Sequence, residues 1–112
     1  MSAANHDLVI DQGTSFTLDV TIKEGGTAKN LTSYSARAQM RSTKTASSVA
    51  GSFTCTIPTP SNGIVKVELT PAASAAIAAG SYFYDLEIHT SGDAIVKRIL
   101  EGKVTLTQEV TR

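Results

Sequence analysis

Three side chains of types suited to acid-base or metal chemistry fall close together in this sequence: Asp85, Glu87 and His89. They alternate with Leu86 and Ile88, so an extended backbone puts all three on one face of one strand, with neighbours about 7 Å apart along it. At that spacing a single metal ion reaches two of them at most, whereas a zinc site takes three or four. The arrangement reads as the solvated face of a strand. Arg37 and Arg41 mark the same kind of face on an earlier strand. Their charges predict pairing across a sheet with Asp85 and Glu87, at roughly 0.2 to 1 kcal/mol per pair. From Gly25 to Val67 there is no acidic residue, while Lys29, Arg37, Arg41, Lys44 and Lys66 all fall inside the stretch. Such asymmetry could dock an acidic neighbour or phosphates, but no glycine-rich phosphate loop leads into a helix, and a solvated surface accounts for it. No nucleophile elbow, paired cysteine, His-Glu motif or Walker pattern occurs. The sequence is therefore read as that of a non-enzyme, with no catalytic, metal or cofactor-binding residue assigned.

The remaining candidates are isolated. His6 is the other of the two histidines and sits in no recognisable constellation. Cys55 alternates with Phe53 and Ile57, which places it on a buried strand face as a small apolar residue, and one cysteine builds no disulfide framework. Asn30-Leu31-Thr32 matches a glycosylation sequon, which carries no weight without a secretory signal. At 112 residues the chain is expected to form one domain over 1–112, large enough to fold without a metal or a disulfide. Ten Lys and Arg balance ten Asp and Glu, which argues against nucleic acid or an anionic membrane as the main partner. The first residues, Met-Ser-Ala-Ala-Asn-His-Asp, lack the basic flank and apolar run of a signal peptide, and no window approaches a membrane span. A soluble protein made in the cytoplasm is expected.

The elements that carry these residues are short strands. Tyr34, Ala36, Ala38 and Met40 face one way and Ser35, Arg37, Gln39 and Arg41 the other; Tyr82, Tyr84, Leu86 and Ile88 face in while Phe83, Asp85, Glu87 and His89 face out. Leu8 to Ile10 begin a strand, Asp11-Gln12-Gly13 turns it, and Phe16, Leu18, Val20 and Ile22 alternate with Thr17, Asp19, Thr21 and Lys23. Gly25-Gly26 predicts a tight reversal before Ala28 to Leu31. The Ser, Thr, Ala and Lys-rich stretch from Ser42 to Ser52 reads as an exposed, mobile loop. Phe53, Cys55 and Ile57 carry the next strand, ended by Pro58 and Pro60, and Asn62-Gly63 starts another with Val65, Val67 and Leu69 inward and Ile64, Lys66 and Glu68 outward. Ser91-Gly92-Asp93 closes a hairpin onto Ala94 to Glu101, and Val104, Leu106 and Val110 continue the last extended stretch. That stretch is too long for a small sandwich to hold straight, which predicts a bulge or kink at Gly102. Outward-facing Phe83 and Ile64, with Ile95 or Val96, are candidates for a protein interface, together with Arg37 and Arg41.

One helix is expected near 71–79, with Thr70 as N-cap, Pro71 at its first position and Gly80 as C-cap. Its only large apolar side chain is Ile77, so it serves as a crossover that plugs one end of the fold. This crossover followed by Gly80, Tyr82 and Tyr84 resembles the tyrosine corner of immunoglobulin-like sandwiches, in which a buried Tyr hydroxyl bonds back to the crossover backbone. Tyr82 is the better candidate. The fold class is accordingly all-β, an immunoglobulin-like antiparallel β-sandwich of about seven to eight strands with one short crossover helix, without the cysteine pair and tryptophan of antibody domains.

Five motifs occur in order: Gln12-Gly13-Thr14-Ser15-Phe16, Lys23-Glu24-Gly25-Gly26-Thr27, Asn30-Leu31-Thr32-Ser33-Tyr34 before Arg37-Ala38-Gln39-Met40-Arg41, Asn62-Gly63, and Gly80-Ser81-Tyr82-Phe83-Tyr84-Asp85-Leu86. Through them the stretch from Leu8 to Glu101 resembles the immunoglobulin-like structural modules of tailed-bacteriophage virions, in particular the amino-terminal domain family of baseplate upper proteins and tail-fibre adaptors. The resemblance implies a non-enzymatic building block, made in the host cytoplasm and carried in the virion. It implies contacts with other virion proteins and a homo-oligomer or symmetric assembly in the particle. A capsid decoration or head-fibre protein would use the same sandwich. A carbohydrate-binding module would need exposed aromatic platforms, and the chain has no Trp and only Phe83 as an outward ring.

Overall fold

Residues 3–111 are described by this computed structural model. Met1, Ser2 and Arg112, at the ends of the expected span 1–112, lie outside the described residues. Two short amino-terminal strands come first, β1 (Ala4–Asn5) and β2 (Leu8–Asp11), followed by β3 (Phe16–Thr21) and a small hairpin of β4 (Lys23–Glu24) and β5 (Thr27–Ala28). β6 (Ser35–Arg41), β7 (Gly51–Thr56) and β8 (Ile64–Leu69) lead to helix α1 (Pro71–Ala75), and β9 (Gly80–His89) and β10 (Val96–Thr107) complete the chain. A single 3-10 turn occupies Pro60–Asn62, and a tight turn with Gly92 at φ of 69° occupies Ser91–Asp93.

All strands but β4 and β5 join one curled sheet in the order β1, β10, β9, β6, β7, β8, β3, with β2 following β1 along the outer side of β10. The curl happens inside β7. Its first half, Gly51 to Phe53, pairs with β6, and its second half, Thr54 to Thr56, pairs with β8. The result is a sandwich with β3, β8 and the end of β7 in one layer and β6, β9, β10 and β2 in the other. With β3, β6, β8, β9 and β10 in the places of strands B, C, E, F and G, and β2 parallel to β10, the order is immunoglobulin-like.

Alternation explains the layers. Ala38 and Met40 on β6 and Tyr82, Tyr84, Leu86 and Ile88 on β9 are buried, as are Val65, Val67 and Leu69 on β8 and Leu8 and Ile10 on β2. Phe53 links the layers, its ring 6.0 Å from that of Phe16 and edge-on to Tyr84 at 6.2 Å. Leu31 is fully buried beneath a turn in which the Asn30 side-chain oxygen accepts from the Thr32 amide at 2.9 Å and hydroxyl at 2.6 Å. The loop after β6 ends two residues sooner than the composition predicts, because Gly51 and Ser52 pair with β6 and the Ala50 amide already donates to the Met40 carbonyl at 2.8 Å.

Helix α1 begins as its sequence dictates: the Thr70 hydroxyl accepts from the Ala73 amide at 3.1 Å, with Pro71 next. It ends at Ala75 and not near 79, and Gly80 is not its C-cap. Five residues hold no helix by propensity alone, and tertiary contacts take over the chain. Ile77 drops into the core, its carbonyl accepts from Gln12 Nε2 at 2.8 Å, and the Ala78 carbonyl turns toward β9. There the Tyr82 hydroxyl donates to it at 2.6 Å, which is the tyrosine corner in its expected place. Gly80 instead opens β9 opposite Leu106 with φ of 150°, a conformation that favours glycine.

Gly102 corrects a second expectation. The register shift in β10 lies between Arg98 and Leu100, and Gly102 is regularly paired with Tyr84. What requires glycine there is a crossing. Between β1 and β2 the chain passes over Gly102 so closely that a Cβ would fall on the His6 carbonyl oxygen, with the His6 carbonyl carbon at 2.8 Å and Asp7 Oδ1 at 2.9 Å. Neighbouring bonds hold the crossing: the His6 amide donates to the Glu101 carbonyl at 2.8 Å, the Lys103 amide to Asp7 Oδ1 at 2.9 Å, and the Tyr84 hydroxyl to the His6 carbonyl. β10 ends at Thr107, so Val110 does not continue it and is 87% exposed. Gly102→Ala should therefore destabilise the protein by about 1–3 kcal/mol through backbone overpacking, read as a lower midpoint in urea denaturation; an unchanged midpoint would mean that the crossing yields freely.

Candidate functional site

The outward faces of β6, β9 and β10 form a groove of about 520 Å³. Register explains which groups meet in it. Arg37 lies opposite Glu87, Gln39 opposite Asp85, and Arg41 opposite Phe83, while on the other side of β9 Glu101 lies opposite Asp85. Arg37 thus donates from Nε to Glu87 at 2.9 Å, as the sequence predicts, and from Nη1 to Asp93 at 3.3 Å. Arg41 lies two positions from Asp85, opposite Phe83, and forms no ion pair with it, although its charge helps Arg98 oppose the rise in pKa of the Asp85 carboxyl. Its Nη1 donates to the Ala46 carbonyl at 3.0 Å and its Nη2 to Gln39 Oε1 at 3.2 Å, so it ties down the loop after β6. Asp85 pairs with Arg98 at 3.3 Å, and Arg98 also reaches Glu101 at 3.5 Å.

Asp85, Glu87 and His89 therefore each engage a different partner, His89 through Nδ1 to Asp93 at 3.4 Å. Among the described residues no three His, Cys, Asp or Glu side chains are grouped as a metal ion would need. Burial raises the Asp85 carboxyl above its ordinary value and the Glu87 charge adds to the effect, while Arg98 opposes it. In the Arg37 pair the Glu87 hydrogen bond raises the guanidinium pKa further.

Phe83 points outward from β9 but is half-buried, with the Lys44 and Lys103 ammonium groups 5.7 Å and 5.9 Å from its ring centroid. Ile64 is likewise outward and half-buried, on β8 in the other layer, opposite Thr21. Among the described residues the freely exposed large apolar side chains are Val9, Val49, Ile95, Val96 and Val110. Ile95 or Val96 was expected among them, and both are exposed; Val9 was equally open to inference, since it alternates with buried Leu8 and Ile10. The clamp of Lys44 and Lys103 on Phe83 joins a loop to a distant strand, and no local pattern announces it. The structural candidates Tyr82, Gly80 and Gly102 sit at the corner, at the start of β9 and at the crossing described above. The chain matches no family model and no curated protein.

Two core-facing groups, half-buried Cys55 on β7 and buried Tyr84 on β9, give the fold a pH signature. Burial pushes the Cys55 thiol up to about 11 from 9.0, and burial with the Asp7 charge pushes the Tyr84 hydroxyl up to about 12 from 10.0. In both cases the unfolded chain loses its proton first, so the stability these two groups contribute is complete below pH 9 and is lost as pH rises from 9 toward 12. Urea midpoints across that range should decline, and Cys55→Ala should flatten the part between pH 9 and 11.

Proposed function

We propose that this protein is a non-enzymatic structural component of a tailed-bacteriophage virion, a baseplate, tail or fibre-adaptor module that packs against other virion proteins. The observation that supports this most is that each motif behind the resemblance supplies a joint of the sandwich. Gln12 bridges the Ile77 carbonyl and the Glu109 amide, Lys23 to Thr27 make the small hairpin, and Asn30 shapes the turn over Leu31. Gly63 adopts φ of 69° before β8, and Tyr82 makes the corner. Residues spent on holding a scaffold suit a module whose task is to place and be placed.

The contact surface proposed on β6 and β9 is the groove with Arg37, Arg41 and Phe83, where cations and carboxylates interleave. Such a face recognises a protein surface of complementary charge and suppresses wrong partners more than it adds raw affinity. Ile64 would contribute from the opposite layer. Quantitative mass spectrometry of purified particles, referenced to the major capsid protein, tests the assignment. Copies on the order of tens or fewer per particle are expected of a symmetric tail or baseplate part; hundreds would make it a capsid decoration or head-fibre protein, and absence would overturn the virion reading. Phe83→Ser should lower the copy number while leaving the melting temperature nearly unchanged, because the ring packs under lysines and not in the core.

A further inference from the structure

The two edges of the curled sheet are finished differently. At one edge β1 and β2 are only two and four residues long, and the crossing at His6 interrupts them. Short, broken strands are a usual protection against pairing with another chain. At the other edge β3 runs six residues, Phe16-Thr17-Leu18-Asp19-Val20-Thr21, without proline, lysine or register shift. In the immunoglobulin-like order this is strand B, and no first strand lies beside it, because β1 and β2 both pair with β10. The consequence shows in burial. Val65, Val67 and Leu69 on β8 are 0 to 4% exposed, whereas Phe16, Leu18 and Val20, which face the same core and oppose Leu69, Val67 and Val65, remain half-exposed.

The hydrogen-bonding groups of this edge can be assigned. The Ile22 amide donates to the Gly63 carbonyl at 2.7 Å, so the antiparallel alternation turns even-numbered residues of β3 toward β8. The amides and carbonyls of Thr17, Asp19 and Thr21 then point away from the sheet, and among the described residues no backbone group outside the strand ladder meets them.

We propose that this edge pairs with the β3 edge of a second copy of the chain, antiparallel and about a two-fold axis through Leu18. The occupant follows from self-complementarity. With Leu18 opposite Leu18 of the second copy, Thr17 lies opposite Asp19 and Phe16 opposite Val20, all on matching faces. The outward amides of Thr17 and Asp19 meet the outward carbonyls of the second copy. The competing register centred on Asp19 sets two carboxylates directly against each other, which is unfavourable. Lys66, 3.3 Å from Asp19, offsets part of the carboxylate charge without reaching the edge backbone, and a net charge of +0 opposes self-association with little long-range repulsion. The two layers then form one continuous sheet, β7, β8 and β3 running into β3, β8 and β7 of the second copy, and the half-exposed apolar row is covered.

Sedimentation velocity over a dilution series of the isolated protein tests the pairing independently of any place in a particle. A monomer-dimer equilibrium is expected. Thr17→Lys, which sets a lysine against Asp19 of the second copy twice per dimer, should tighten it on the order of fivefold, and Thr17→Asp should weaken it by a similar factor. Changes in opposite directions cannot come from a general loss of stability. Hydrogen exchange should slow at the amides of Thr17 and Asp19 as concentration rises. A monomer at every concentration up to millimolar would overturn the proposal, as would a dimer indifferent to both variants or one whose concentration-dependent protection lies elsewhere.

Discussion

One strand changing its partner is the constraint on which the rest of the structure depends. Phe53 is the last residue of β7 paired to β6 and Thr54 the first paired to β8, so a single continuous sheet becomes two facing layers within one peptide unit. Phe53 also carries the side chain that makes the switch worthwhile. Its ring lies between Phe16 of one layer and Tyr84 of the other, so the step across is fixed by packing at the centre of the core. Everything downstream inherits that geometry: the short helix that closes one end, the Tyr82 corner that receives it, and the exposed face of β6, β9 and β10.

That face is electrostatically closed upon itself. Register sets Arg37 against Glu87, and Arg98 spans Asp85 and Glu101 from the neighbouring strand, so each carboxylate in the groove has a cation at hand. Exposed pairs of this kind contribute little to folding stability, but they impose a fixed pattern of signs on a surface. Pattern is what a docking partner reads. The basic bias between Gly25 and Val67 is partly spent in the same way, with Lys29 held by Glu24, Lys66 by Asp19 and Arg37 by Glu87 and Asp93.

Local rules made most of this legible in the sequence. Period-two alternation located β6, β8 and β9 and named their buried faces, the Thr70-Pro71 pair started the helix, and Tyr82 announced its own hydrogen bond. The features that escaped share one property, which is dependence on a partner far along the chain. Gly102 looked like a bend because only the passage of His6 over it, set by a parallel pairing from the other end of the sequence, reveals close approach as its reason. The early end of the helix turns on Gln12 and on the capture of Ile77 and Ala78, which outweigh alanine propensity. Arg41 missed Asp85 because cross-strand register, and not strand identity, decides which charges meet.

The parallel alignment of β2 with β10 has a mechanical consequence. Leu8, Val9, Ile10 and Asp11 are registered against Val104, Thr105, Leu106 and Thr107, the last four residues of β10, so the two strands run the same way and end together. Tension drawn between the amino-terminal side of β2 and the carboxy-terminal side of β10 is directed along both strands at once. The bonds between them are then sheared together, and none can be peeled before its neighbour carries load. A sandwich tied off in this way resists stretching along its length far better than a hairpin pulled open from its end, and the crossing at Gly102, pinned by Tyr84 and Asp7, sits directly in the line of that force.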